Sequence, residues 1–115
     1  MAYPGSIRNY TVKSLQKAVV AMSSPEWEMA LLDASEEEQH LAALERQRTN
    51  TARLELETAQ LEAIRDKLLA NEADLKQGRR DVADALADLQ KVEAVLSAVT
   101  SFIDTVAKVV PVPKA

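Results

Sequence analysis

The hydrophobic positions of this chain follow helical spacing from one end to the other. In the N-terminal part they recur every three or four positions, at Val12, Leu15, Val19 and Met22. That spacing places them on one face of an amphipathic helix. With Ser6 as the expected N-cap, the pattern predicts a short first helix over residues 6–22. Residues 1–5, with a turn at Pro4-Gly5, are expected to form a tail.

A second helix is predicted to begin at Pro25. Ser24 is a favourable N-cap, and Pro25 suits the first helical position, where its missing N–H is no loss. Glu26 and Glu28 then lie near the positive end of the helix dipole. These residues together indicate a helix start at this point.

From Leu54 to Val110 the apolar positions alternate at spacings of three and four, close to a heptad repeat that includes Gly78. Two structures fit this repeat. In one, a long helix ends before Gly78, the chain turns back through residues 77–80, and Asp81 caps a third helix. In the other, a single helix of about 128 Å runs from Pro25 to Val110.

We favour the hairpin. Glycine weakens packing at an apolar position, and the segment after Leu89 is apolar over a wider face than a two-stranded coiled coil needs. The expected fold is therefore all-α: an elongated helical hairpin, or coiled-coil-like bundle, with a short N-terminal helix. Its three helices span about residues 6–22, 25–76 and 80–110, within one domain of residues 1–115 that has short tails at 1–5 and 111–115.

Charge supports an antiparallel packing of the first helix on the start of the second. Residues 1–25 contain three basic side chains and no acid, whereas residues 26–45 hold seven acids and no base. Opposite charges on the two segments favour this orientation. The second helix, at 1.5 Å per residue, would be about 78 Å long.

Composition narrows the class of protein. Ala, Glu, Lys, Leu and Arg make up about half of the chain, as in long helices and coiled coils. The absence of cysteine excludes disulfides and thiolate metal sites. A net charge of -4 argues against a nucleic-acid partner. The N-terminus lacks a signal-peptide pattern, so we expect a cytoplasmic protein.

Catalytic and metal-binding patterns are sparse. Glu37 and His40 have the Glu-x-x-His spacing by which a helix offers a carboxylate and an imidazole to a metal. His40 is the single histidine, so only a symmetric dimer could complete such a site, and the neighbouring glutamates indicate a solvated face instead. We therefore expect no enzyme activity, no metal and no cofactor.

The polar run over residues 45–53 admits two interpretations. A solvated stretch of a long helix is the simpler one. The alternative is a binding patch in which Arg46, Arg48 and Arg53 receive a carboxylate or a phosphate.

These observations favour a non-enzymatic interaction and assembly protein, a helical coiled-coil module that self-associates as a dimer or higher oligomer and binds a partner protein. The expected interface is the apolar face of the last helix, formed by Val92, Val95, Leu96, Val99, Phe102, Ile103 and Val106. Trp27 is expected to fill the core against the first helix or to anchor a partner. The alternative is a membrane-surface or membrane-active helix that buries the same apolar face in a bilayer.

Overall fold

Within residues 3–114, six helices make up the fold. The computed structural model describes residues 3–114, and all of the regular structure in that range is helical. In chain order the helices are α1 (Pro4–Ala21), α2 (Pro25–Leu32), α3 (Glu36–Thr58), α4 (Leu61–Ala70), α5 (Glu72–Leu86) and α6 (Val92–Val106). The all-α prediction is confirmed, but the division into three helices is wrong.

The first two helix starts differ in how well the sequence predicted them. Ser24 caps α2 as expected: its hydroxyl oxygen accepts a hydrogen bond from the Trp27 backbone N–H at 3.2 Å, and Pro25 takes the first helical position. The start of α1 lies two residues before the predicted one. Pro4 is its first residue and Tyr3 its N-cap, so Pro4-Gly5 is not a turn and Ser6 is not a cap.

The predicted helix over residues 25–76 is broken at three places. At the first break, Ser35 and Glu38 form a reciprocal capping box. The Ser35 hydroxyl accepts from the Glu38 N–H at 3.1 Å, and the Glu38 carboxylate accepts from the Ser35 N–H at 3.2 Å. Because two otherwise unpaired N–H groups are satisfied this way, α3 begins as a new helix at Glu36.

The other two breaks contain no strong helix breaker. Ala59 and Gln60 adopt extended backbone angles between α3 and α4, and the Arg8 guanidinium donates to the Ala59 carbonyl at 3.0 Å. Asn71 separates α4 from α5, and its side-chain amide donates to the Lys67 carbonyl at 2.8 Å. A side chain from another helix thus takes the backbone carbonyl at Ala59, whereas at Asn71 the backbone N–H still donates to the Lys67 carbonyl at 3.1 Å and the side-chain amide shares that acceptor.

The predicted turn at Gly78 is also wrong. Gly78 lies inside α5, where it packs against the Phe102 ring of α6. The chain turns back later, over residues 87–91, where the Asp88 carboxylate accepts from the Gln90 N–H at 3.2 Å. The predicted third helix over 80–110 therefore consists of the end of α5, this connection and α6.

Four helices close into a ring around one core. Going round it, α1 packs on α3, α3 on α6, α6 on α5, and α5 back on α1, while α4 covers α1. The fold measures 44 × 25 × 18 Å, so neither the 78 Å helix nor the 128 Å helix exists. The heptad-like repeat is the buried face of several short helices in a bundle.

Helix directions follow from contacts at their ends. The bond from Arg8 at the start of α1 to Ala59 beyond the end of α3 makes these two helices antiparallel, as the charge pattern predicted for this part of the chain. Arg48 of α3 and Asp104 of α6 approach to 3.6 Å, and Glu38 and Glu93 line one groove nearer the start of both helices. That order makes α3 and α6 parallel neighbours.

Candidate functional site

A groove between α1 and α5 gathers basic side chains on one surface. It has a volume of about 330 Å³, and Tyr10 lies beside five basic side chains along it. These are Lys13, Lys17, Lys76, Arg79 and Arg80. No acidic residue lines the groove, which we call the basic groove.

Helical spacing explains why these side chains come together. On α1, Tyr10, Lys13 and Lys17 lie at intervals of three and four beside the buried stripe that contains Thr11 and Leu15. Lys76, Arg79, Arg80 and Ala83 repeat the same spacing on α5. Residues at these intervals share one side of a helix, so packing α1 against α5 aligns the two basic rows.

The cations of the basic groove form no salt bridge within residues 3–114. Between residues 3 and 114, the salt bridges involve Arg48 and Arg53, and none involves the five groove cations. The Arg79 guanidinium instead lies over the Tyr10 ring, 5.0 Å from its centroid, in a cation–π contact. The Arg79 Nε is buried and makes no hydrogen bond in that range.

A second groove, between α3 and α6, carries the opposite charge. Its volume is about 410 Å³, and Glu38, Glu93 and Asp104 line it together with Leu41 and no basic residue. Arg48 reaches Asp104 from one end. Glu38 also holds the capping box of α3. We call this surface the acidic groove.

The two grooves lie on opposite sides of the bundle. In the ring of four helices, the α1–α5 edge and the α3–α6 edge share no helix. The domain is therefore electrically polar across its width, with uncompensated cations on one side and carboxylates on the other. An anionic surface fits the first groove and a cationic surface the second.

Apolar surface borders both grooves. Beside the basic groove, Val20 is 66% exposed and lies next to Lys17 in a shallow hollow of about 380 Å³. Beside the acidic groove, Leu41 is 38% exposed and lines a hollow of about 360 Å³ with Leu44. Each charged surface thus has apolar area next to it.

The three arginines predicted as a binding patch do not form one site. The Arg48 Nη1 donates to both oxygens of Glu45, at 3.0 and 3.2 Å, and its Nε donates to the Pro113 carbonyl at 3.0 Å. Arg53 pairs with Glu57 at 3.1 Å, and Arg46 is exposed. Arg48 is therefore engaged within the chain by two carboxylates, Glu45 of α3 and Asp104 of α6.

The seven residues predicted as an interface are all buried inside the chain, at 8% exposure or less. They form the inward face of α6. Trp27 is 1% exposed and is the buried side chain of α2, lining one hollow with Met22 and Ala42. Its predicted place in the core is thus observed. Of the seven α6 residues, Leu96 also lines the acidic groove at 3% exposure, and a partner contact at the other six would require α6 to leave the bundle.

Glu37 and His40 lie on an exposed part of α3 and line a hollow together. In the part of the chain that the structure describes, no three His, Cys, Asp or Glu side chains come together as a metal would require. None of the helices between residues 3 and 114 combines the length and apolar character needed to cross a membrane.

Comparison with known proteins adds no further assignment, since no protein-family model, curated protein or solved structure matches the chain. The function is argued from the two grooves alone.

Sequence reasoning did not identify the basic groove as a site. One signal was present: the first 25 residues hold basic side chains and no acid. We expected those charges to pair with acids of the following helix, but no salt bridge joins α1 and α3 among the described residues. The second row, at Lys76, Arg79 and Arg80, surrounds the turn that we predicted at Gly78.

Proposed function

We propose that this protein is a non-enzymatic interaction and assembly module, a small helical bundle that self-associates and binds a partner protein. The observation that carries the proposal is the pair of oppositely charged grooves on opposite sides of one domain. The basic groove in particular keeps five cations together with no salt bridge to any of them among residues 3–114, which suits it to an anionic macromolecule. Complementary charge of this kind speeds association and selects partners.

Contact area would come from the apolar residues beside the grooves. Tyr10, 56% exposed, and Val20 flank the basic groove, and Leu41 lies at the acidic one. Exposed ion pairs contribute only about 0–1 kcal/mol each, so charge alone gives weak binding. Aromatic and aliphatic side chains beside the charges supply the rest of the binding free energy, as in the mixed polar and apolar surfaces of transient complexes.

The proposed contact surface consists of the two grooves, which include Glu93 and Asp104 of α6, and not of the inward apolar face of that helix. The apolar face of α6 is covered by the other helices of the same chain. The membrane-surface alternative relied on this same apolar face, which the other helices of the chain cover.

Sedimentation or light scattering over a dilution series tests the proposal. In about 0.01 M NaCl, where the Debye length is about 30 Å, the average mass should rise above 12.6 kDa with concentration. In about 1 M NaCl, where the Debye length is about 3 Å, the mass should return toward that of one chain. A mass of one chain at every concentration in low salt would refute self-association. A protein partner should be retained by the wild-type chain and lost when the grooves are neutralised.

A further inference from the structure

We infer that the self-association is head to tail, with the basic groove of one copy receiving the acidic groove of a second copy. This inference rests on the proposed function and specifies its partner and its geometry. The occupant is another copy of this chain because the complementary surface is present on the same molecule.

Charge is the first argument. The basic groove gathers five of the 14 basic residues of a chain whose net charge is -4, without a carboxylate among its lining residues. The acidic groove presents Glu38, Glu93 and Asp104, and its one nearby base is Arg48, which reaches Asp104 at 3.6 Å from the end of the groove. Joining the grooves brings opposite charges together, whereas joining two like grooves brings the same charge together, which is unfavourable.

Geometry is the second argument. A closed two-fold dimer uses the same patch on both copies, and here each patch repels itself. Because the complementary grooves share no helix and lie on opposite sides of the ring, one contact leaves a basic groove free at one end and an acidic groove free at the other. The contact is therefore heterologous and adds copies one after another, into an open chain or a ring.

Two double variants provide the test, and each removes two charges from one of the grooves. The first carries Lys13→Gln and Arg80→Gln, which remove one cation from each helix of the basic groove. The second carries Glu93→Gln and Asp104→Asn, which leave the Glu38 capping box intact. All four residues are exposed, so we expect both variants to fold.

Each variant alone should self-associate about tenfold more weakly than the wild type, the effect of two interfacial ion pairs. An equimolar mixture of the two should form a complex of two chains and stop there, because the intact acidic groove of the first variant fits the intact basic groove of the second. Control variants on other exposed charges, Arg65→Gln with Lys67→Gln and Glu55→Gln with Asp66→Asn, should behave like the wild type.

The outcomes separate the inference from the proposed function. Suppose that the wild type self-associates. If either groove variant then self-associates equally well, or if the mixture forms no two-chain complex, the head-to-tail inference is wrong, while self-association itself is still supported. If the wild type stays a single chain, self-association itself is wrong.

Pyrophosphate serves as a small-anion probe. If it binds the basic groove while both variants keep the wild-type mass behaviour, the groove is an anion site and the inference is overturned.

Discussion

The ring of Phe102 occupies the space that a Cβ atom on Gly78 would need. A methyl group placed there would lie 2.5 Å from the Phe102 Cδ1 and 3.2 Å from its Cε1. Gly78 has an ordinary helical backbone, so its role is to let α5 and α6 approach closely rather than to make a turn. This contact is the reason why a glycine stands in the middle of a helix.

We therefore expect Gly78→Ala to lower the free energy of unfolding by up to about 2 kcal/mol. Overpacking a core costs about 1–3 kcal/mol, which outweighs the roughly 1 kcal/mol that alanine gains over glycine in a helix. Urea denaturation measures the change. Gly5→Ala is the matched control, because its Cβ would lie 3.7 Å from Leu61, an ordinary contact. Equal stability of the two variants would contradict the steric explanation. In a Phe102→Leu background, Gly78→Ala should lower the free energy of unfolding by a smaller amount.

Arg48→Ala should destabilise the fold far more than Arg53→Ala. Arg48 neutralises Glu45, whose side chain is 2% exposed, and removing one partner of a buried pair costs about 3–5 kcal/mol. The Arg53–Glu57 pair is more exposed, so its loss should cost about 0.5 kcal/mol. Thermal or urea unfolding compares them. Replacing Glu45 as well, in Glu45→Leu with Arg48→Leu, should recover much of the stability. If Arg48→Ala and Arg53→Ala lost similar amounts of stability, the Glu45 carboxylate would not need Arg48 as a partner to remain in the fold.

Val99→Asp in α6 should unfold the chain rather than alter its oligomeric state. Val99 is 1% exposed, and a carboxylate placed there would have neither water nor an ionic partner. Ser97→Asp, on the exposed side of the same helix, is the control and should remain folded. Far-UV circular dichroism separates the outcomes. A folded, single-chain Val99→Asp variant would instead restore the prediction that α6 is an interface.

Trp27 should report whether α2 is docked. As the single tryptophan, at 1% exposure, it should show blue-shifted fluorescence that iodide quenches poorly. Trp27→Ala should lower the free energy of unfolding by about 3–5 kcal/mol, the usual cost of emptying a large aromatic site. Met29→Ala removes an exposed side chain of the same helix and should change stability by about 0.5 kcal/mol or less. Strong quenching of the native protein would show that α2 leaves the core.

The sequence predicted the helical class and one helix start well because those depend on local chemistry. Ser24 and Pro25 act within one turn, and the structure uses them as expected. The capping box of Ser35 and Glu38 was equally local, and its S-x-x-E pattern could have been recognised. By contrast, the break at Ala59 follows from a hydrogen bond with Arg8, 51 residues away, which no local pattern indicates.

The heptad-like repeat was ambiguous for a physical reason. An apolar stripe at spacings of three and four is the same whether its partner helix belongs to another chain or to the same chain. Gly78 was equally ambiguous, because glycine suits both a helix end and a close helix contact. The basic groove joins Lys13 and Lys17 to Arg79 and Arg80, and only the packing of α1 on α5 brings these distant pairs together.

The packing of α1 on α5 also determines at what stage of folding the basic groove forms. A ribosome adds about 5–20 residues per second, so α1 emerges several seconds before α5. The α5–α6 pair can form by local contacts, whereas α1 meets α5 only through contacts between distant parts of the chain. The groove is thus absent from any chain in which α1 has not yet packed on α5. A partner of the kind we propose would bind only chains in which this contact between distant segments has formed.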